Sequence, residues 1–341
     1  MTQVGRYRLT RRLGVGSFAT VWLAAGPEDE VAVKVLAENW AVDVDVRARF
    51  LAEARLLQRI ADPRLVAVHE IGTLPDGRPW FAMDHCPGGS LDDLRRQRLP
   101  ADRALRLTAE AARCLHEHGV VHRDVTPGNL LLDADGRVRL ADLGVAKDLS
   151  VGTGSTMTAG TPAYMAWEQA TGGALDRRCD VYSLACVGYA LLTGRPPFPV
   201  RTLADLVARG PDARPPAVAA AVGMPAELDD LLGAALSSDP RQRPTTAAAL
   251  ADALDAIAPA GLGRSGFDEL SPLGSGERET SLQRGTSPQR GTSPQRGTSP
   301  QRPEPVEGRR PGGLGRFGVV LGAVVVVLLV VLVVSLGVLL A

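Results

Sequence analysis

The last 25 residues of the chain, 317–341, carry no charge and are mostly Val and Leu. A helix needs about 20 apolar residues to cross the hydrocarbon core of a bilayer, so this run predicts one transmembrane helix in contact with membrane lipid. Arg309, Arg310 and Arg316 precede it, and the positive-inside rule places its N-terminal side in the cytoplasm. Because the chain stops at the end of the run, we expect a single-pass protein of the cell membrane with no extracytoplasmic domain.

Residues 259–316 indicate a linker. They are rich in Gly, Pro, Ser, Thr and Arg, and the hexamer Arg-Gly-Thr-Ser-Pro-Gln begins at Arg284, Arg290 and Arg296. A six-residue period with a proline in every unit builds neither a helix nor a packed core. We expect a disordered juxtamembrane tether, which as a flexible coil would span on the order of 40–45 Å r.m.s..

Charge and cysteine usage exclude some classes of protein. Lys+Arg and Asp+Glu both total 38, so no basic excess points to nucleic acid and we expect none as a partner. The four cysteines form no C-x-x-C pair and match no zinc spacing. Reduced thiols in the cytosol are therefore expected.

The first part of residues 1–258 is rich in strand patterns. Apolar alternation around a glycine-rich turn predicts strands at 7–13, 21–25 and 30–36. Phe50 and Leu57 lie on one apolar face that predicts a helix over 47–60.

Helical patterns dominate after residue 91. The predicted helices lie at 101–118, 180–193 and 226–236, and a short hairpin is predicted at 129–141. The fold class is therefore α+β, with a small strand-rich lobe at about 1–84, a larger helical lobe at about 87–258, and a cleft between them.

The turn between the first two strands has the sequence Leu13-Gly-Val-Gly-Ser-Phe-Ala-Thr-Val21. Gly14 and Gly16 lack a Cβ, which lets the backbone approach a phosphate closely and adopt unusual dihedral angles. This pattern alone is weak, because turns are glycine-rich in general.

Lys34 ends the apolar pattern of the third strand and is one of only two lysines in the chain. Glu53 follows 19 residues later, on the same helix face as Phe50 and Leu57. A carboxylate on an apolar face is costly unless it is paired. Lys34 is the natural partner, and the pair would direct the ammonium towards phosphate oxygens.

The segment His122-Arg-Asp-Val-Thr-Pro-Gly-Asn129 is the strongest signal. It places an imidazole, a guanidinium, the carboxylate of Asp124 and the carboxamide of Asn129 within eight residues. Asp142 follows Asp124 by 18 residues, beyond the predicted hairpin. Asp and Asn supply hard oxygen ligands suited to Mg²⁺.

In this order the motifs resemble those of a eukaryotic-like Ser/Thr protein kinase of the bacterial membrane-anchored type, over about residues 7–257. The resemblance implies a two-lobed kinase fold that transfers the γ-phosphate of ATP to Ser or Thr of protein substrates, with Mg²⁺ or alternatively Mn²⁺. Asp124 would orient the substrate hydroxyl and take its proton. Asn129 and Asp142 would hold the metal, and Lys34, paired with Glu53, would bind phosphate. The implied ATP contacts are Leu13, Gly14, Val15, Gly16, Ser17, Phe18, Ala19, Thr20, Val21, Lys34, Met83 as gatekeeper, and the hinge residues Asp84 and Cys86.

The resemblance extends to later motifs. Thr161 would contact Asp124 and help dock the substrate. Asp180 resembles the start of a buried helix that anchors the catalytic loop. Glu168 would form a structural ion pair with Arg243.

The resemblance also implies regulation by phosphorylation. Thr156 and Thr158 lie in the loop before Gly160 and resemble autophosphorylation sites, whose phosphate would pair with Arg123. A homodimer would bring two chains together for phosphorylation in trans, although no residue by itself demonstrates one.

Two departures from the kinase pattern leave an alternative open. Thr126 stands where Ser/Thr kinases carry a lysine that offers a cation to the γ-phosphate, and Trp167 stands in place of proline before Glu168. These changes keep open a weakly active or inactive pseudokinase, acting as a membrane-tethered module that binds nucleotide or a partner.

Overall fold

The computed structural model describes residues 3–97, 99–118, 121–142 and 162–258. The chain divides into two units, residues 1–276 and 277–341, and every described residue belongs to the first. Within the described ranges, no helix has both the length and the apolar character needed to cross a membrane. The predicted tether and the predicted transmembrane run both lie outside these ranges.

An antiparallel sheet builds the first lobe. Its strands are β1 (Gln3–Val4), β2 (Tyr7–Val15), β3 (Ala19–Ala25), β4 (Glu30–Leu36), β5 (Val68–Thr73) and β6 (Pro79–Asp84). They lie in the order β1-β2-β3-β4-β6-β5. The single α-helix described in this lobe, α1 (Val44–Arg59), follows β4 after a 3-10 turn at Glu38–Trp40.

Side-chain alternation along β4 sends two sets of residues to opposite faces of the sheet. Val31, Val33 and Val35 pack into a small apolar cluster on the outer face. Leu36 joins the main core, together with Phe50 and Leu57 of α1. The residue two before Leu36 is Lys34, so the pleat of β4 turns this lysine towards α1.

The second lobe is mainly helical. Its helices are α2 (Leu91–Arg95), α3 (Ala101–His118), α4 (Trp167–Thr171), α5 (Arg178–Thr193), α6 (Leu203–Ala208), α7 (Glu227–Ala235) and α8 (Ala247–Ile257). A two-stranded hairpin, β7 (Leu130–Leu132) and β8 (Val138–Leu140), lies between α3 and α4. Every residue from Cys179 to Leu191 in α5 is buried, so α5 is the central helix of this lobe.

One ion pair in this lobe is almost completely removed from water. Arg243 is 3% exposed and Glu168 is 6% exposed. The guanidinium donates from Nη1 to Oε1 at 2.7 Å and from Nη2 to Oε2 at 2.8 Å. Its Nε donates to the carbonyl of Ser237 at 2.8 Å. This bidentate contact ties the start of α4 to the segment before α8, as the resemblance implied.

The two-lobed α+β architecture is confirmed, and the predicted elements begin or end within a few residues of the observed ones. The helix predicted at 47–60 begins earlier because Asp43 caps it, accepting the Val46 N–H at 2.9 Å. Several elements were not predicted, namely β1, β5, β6, α2, α4, α6 and α8. In β6, five successive residues are buried, and such a run lacks the alternation that identifies a strand.

We predict that Arg243→Met destabilises the fold by about 3–5 kcal/mol, because it leaves the buried carboxylate of Glu168 without its cation. The matched control is Arg241→Met. Arg241 pairs with Asp239, but its side chain is 85% exposed, and exposed pairs contribute about 0–1 kcal/mol. Urea unfolding of both variants measures the difference, and equal losses would contradict a structural role for the buried pair.

Candidate active site

The glycine-rich turn joins β2 to β3, as predicted. The Gly16 N–H donates to the Ala19 carbonyl at 2.8 Å and closes the turn. Neither Gly14 nor Gly16 has a positive φ, so the expectation of unusual dihedral angles is wrong for this conformation. A Cβ at Gly14 would meet nothing within 4 Å, and one at Gly16 would first meet the Ala19 carbonyl at 3.4 Å. No described residue therefore requires glycine at either position, and close approach of this backbone to a phosphate stays a prediction.

The other residues predicted to line this turn differ in exposure. Leu13 and Val15 are exposed large hydrophobic residues, at 37% and 66%. Ala19, in place of the third glycine of the kinase pattern, is buried and pairs with Leu36 across the sheet. The first half of the turn therefore exposes apolar side chains, while its second half is fixed in the sheet.

Lys34 lies between two carboxylates. Its Nζ is 3.0 Å from Oε1 of Glu53 in α1 and 2.6 Å from Oδ1 of Asp142. Asp142 follows β8 in the second lobe, so the ion pair between Lys34 and Asp142 connects the two lobes. The ammonium also lies 5.5 Å from the centre of the Phe81 ring.

Burial and charge oppose each other in this cluster. Burial disfavours the ammonium, but Asp142 and Glu53 outweigh it and raise the pKa of Lys34. Burial raises the pKa of Glu53 to about 8, although Lys34 opposes the rise. Burial also acts to raise the pKa of Asp142, but the charge and hydrogen bond of Lys34 hold it below its usual value. Asp142, the closer partner, therefore keeps its charge, and Glu53 takes up a proton first.

The segment from His122 to Asn129 forms a loop held by its own side chains. The carboxamide of Asn129 donates from Nδ2 to the Asp124 carbonyl at 3.0 Å and to its Oδ2 at 3.1 Å. The Asp124 N–H donates to Nδ1 of His122 at 3.2 Å. These bonds orient the Asp124 carboxylate on the loop.

Asp180, at the start of α5, anchors this loop. Its carboxylate accepts the N–H of His122 at 2.7 Å and that of Arg123 at 2.8 Å. Arg123 has a φ of 64° and Asp142 a φ of 56°. This left-handed conformation costs roughly 1–2 kcal/mol for a residue with a Cβ. The buried hydrogen bonds to Asp180 hold Arg123 in it.

Gln169 is a site residue that sequence reasoning missed. Its Nε2 donates to the Arg123 carbonyl at 2.9 Å, and its Oε1 accepts the Ala166 N–H at 3.0 Å. One side chain thus connects the start of α4 to the loop of residues 122–129. The only sequence feature that could have indicated this role is its position directly after Glu168.

The described residues fit a magnesium ion that is held mainly by phosphate. No group of three or more His, Cys, Asp or Glu side chains in the described ranges could hold a metal. Asn129 and Asp142 are adjacent, because the Ala141 N–H donates to the Asn129 carbonyl at 2.9 Å. Mg²⁺ commonly takes one or two carboxylates together with substrate phosphates, which matches two oxygen-bearing side chains.

The hinge region is more constrained than the sequence suggests. Met83 is buried. The carboxylate of Asp84 contacts His69 at 2.9 Å and Arg139 of β8 at 2.8 Å. Asp84 therefore fastens the end of β6 to the second lobe. Burial raises the pKa of the Cys86 thiol to about 11, so this thiol stays protonated.

Three of the predicted site residues lie outside the described residues, and the two departures from the kinase pattern are both half-buried. Thr156, Thr158 and Thr161 fall in 143–161, which the structure does not describe. Thr126 is half-buried, and its side chain makes no capping hydrogen bond to the turn Pro127–Asn129. Trp167 is half-buried at the start of α4.

The two lobes, the lysine held between carboxylates and the anchored loop together define a protein kinase domain. The family model described as "Protein kinase domain" matches residues 7–254. The chain belongs to the protein kinase family.

Similar proteins include two serine/threonine-protein kinases of Mycobacterium tuberculosis. PknJ is 39% identical over 264 residues, which cover 72% of this chain and 44% of PknJ. PknF is 36% identical over 253 residues, which cover 70% of this chain and 53% of PknF. The chain thus spans about half the length of these relatives. The crystal structure of the PknI kinase domain of the same organism is 30% identical, with a TM-score of 0.59, over 75% of this chain and 99% of that domain.

We predict that Glu53 makes the nucleotide-free fold less stable as pH rises. Its pKa is raised from 4.5 to about 8, so between these values the folded chain holds a proton that the unfolded chain has released. Stability therefore falls with pH across this window. Glu53→Gln should flatten the dependence of the unfolding free energy between about pH 5 and about pH 8, whereas Glu38→Gln, at an exposed position, should leave it unchanged. A wild-type slope in Glu53→Gln would contradict the assignment.

Proposed function

We propose that this chain is a membrane-anchored protein kinase that transfers the γ-phosphate of ATP to Ser or Thr of proteins. One observation carries the proposal. The Lys34 ammonium of the first lobe is 2.6 Å from the Asp142 carboxylate of the second. A cation suited to phosphate and a ligand suited to Mg²⁺ therefore meet at one point of the cleft.

Asp124 is the residue that would handle the proton. As the substrate hydroxyl attacks the γ-phosphorus, its proton passes to the Asp124 carboxylate, while the bond from the γ-phosphorus to the bridging oxygen breaks and ADP leaves. Asn129 fixes this carboxylate through its hydrogen bond to Oδ2. Most of the rate acceleration in such a transfer comes from positioning and charge neutralisation.

Asn129 and Asp142 would hold Mg²⁺, which when bound neutralises charge on the phosphate oxygens. Lys34 would then bind phosphate oxygens with its ammonium, and Glu53 would keep the ammonium in place. The two carboxylates beside this lysine would therefore have different roles. Glu53 orients the lysine, while Asp142 is available to a metal.

Specificity for Ser or Thr is supported by the relatives, since PknJ and PknF are both serine/threonine-protein kinases. The intact set of Lys34, Glu53, Asp124, Asn129 and Asp142 favours an enzyme over a pseudokinase. The homodimer stays a prediction, because none of the contacts described above tests it.

We predict that Asp124→Asn lowers phosphate transfer to protein by about 10²–10⁴-fold, because it removes the proton acceptor, while binding of Mg·ADP is kept. Thr126→Lys should raise the rate by about tenfold or more, because it restores a cation near the γ-phosphate. Thr126→Met is the matched control without charge and should give no gain. Radiolabelled transfer by the full chain, followed by identification of the labelled amino acid, measures all four proteins.

Two results would contradict the proposal. Label that persists in Asp124→Asn would show that the carboxylate does not act in transfer. Absence of label in the wild type and in Thr126→Lys, with Mg·ADP still bound, would instead support a pseudokinase.

Activation by autophosphorylation at Thr156 or Thr158 is part of the proposal. The half-buried Arg123 beside Asp124 supports it, because a phosphate supplies two negative charges suited to a guanidinium. Mass spectrometry of the chain after the transfer reaction should find phosphate on one of these threonines. Modification of neither, in an active preparation, would contradict it.

Anchoring by residues 317–341 has its own test. We predict that the full chain stays in the membrane fraction after a high-salt wash, because a long apolar run partitions into lipid. A chain ending at residue 316 should be released. A chain lacking only the repeats at 284–301 is the control and should remain bound, since the repeats contribute no apolar surface. Retention of the chain that ends at 316 would contradict the anchoring role.

A further inference from the structure

The tip of the glycine-rich turn is held by the segment between β4 and α1. The indole Nε1 of Trp40 donates to the Ser17 carbonyl at 2.9 Å. The Ala37 N–H donates to the Phe18 carbonyl at 2.8 Å. Two successive carbonyls at the tip of the turn therefore each accept a donor from the same short segment.

The side chains reinforce these hydrogen bonds. The rings of Phe18 and Trp40 lie 5.2 Å apart between centroids, at an angle of 45°, in the range of favourable aromatic pairs. Trp40 also packs against the main hydrophobic core. Trp40 is thus fixed on one side by the core and fixes the turn on the other.

The holding segment is itself attached to α1. Arg47, in the first turns of α1, donates from Nη1 to the Ala41 carbonyl at 2.9 Å and to the Gly77 carbonyl at 2.6 Å. The segment therefore links the turn to the helix that carries Glu53.

We infer that Trp40 is a positioning residue for nucleotide. It holds the glycine-rich turn in place before ATP arrives. The inference rests on the proposed function, because the turn serves ATP only in a chain that binds it. A turn with glycines at positions 14 and 16 has much conformational freedom to lose on binding. Fixing it beforehand lowers that entropic cost and so strengthens binding.

The test is Trp40→Phe in the full chain in detergent. The substitution keeps an aromatic ring beside Phe18 and removes the indole N–H. Loss of one hydrogen bond of this kind changes a binding constant by a factor of about five. We therefore expect the KM for ATP and the Kd of Mg·ADP to rise about fivefold. The kcat at saturating ATP and the KM for the protein substrate should stay within about twofold, because Trp40 touches no reacting group.

Trp22→Phe is the matched control. Trp22 lies on β3 and packs against the cluster on the outer face of the sheet. It should leave the KM, the Kd and the kcat unchanged.

The outcomes separate this inference from the proposed function. Equal Mg·ADP binding by the wild type and Trp40→Phe would overturn the inference and leave the kinase proposal intact. Tighter binding by Trp40→Phe would also overturn it, since the contact would then oppose nucleotide. A wild-type chain that binds no Mg·ADP would overturn the proposed function together with the inference.

Discussion

The site depends on one buried ammonium that must satisfy two carboxylates. Lys34 is placed by the alternation of β4, Glu53 by the inner face of α1, and Asp142 by the loop after β8. The Lys34 and Glu53 side chains are 12% and 9% exposed, so water cannot stabilise these charges and each must rely on the others. With two acids and one base, the nucleotide-free cluster compensates its excess of acid by holding a proton on Glu53. A divalent metal at Asp142 would supply positive charge in place of that proton.

The second lobe keeps its half of the site in place through α5. The buried Asp180 carboxylate fixes two backbone N–H groups of the loop of residues 122–129, including that of Arg123 in its left-handed conformation. A strained backbone persists only where its surroundings over-determine it. Gln169 and the Arg243–Glu168 pair extend the same framework to α4. The loop that carries Asp124 is therefore oriented by a buried helix.

Much of this arrangement could be predicted because it is local in sequence. The 19-residue spacing predicts the pairing of Lys34 with Glu53, and the motif around Asp124 places Asp124 and Asn129 on one loop. Other features depend on contacts between distant segments, which a single sequence does not show. The indole of Trp40 reaches a backbone carbonyl, and Gln169 links α4 to the loop that carries Asp124. The amino-acid type of neither residue indicates such a role, because each donates to a backbone carbonyl, which every residue carries.

The most direct test of the account is the structure of the chain with Mg²⁺ and a non-hydrolysable ATP analogue. The account predicts that Lys34 keeps its contact with Glu53 and binds phosphate oxygens, while Asp142 leaves the ammonium to ligate the metal beside Asn129. A complex in which Lys34 stays on Asp142, or in which the nucleotide lies away from Lys34, would contradict it.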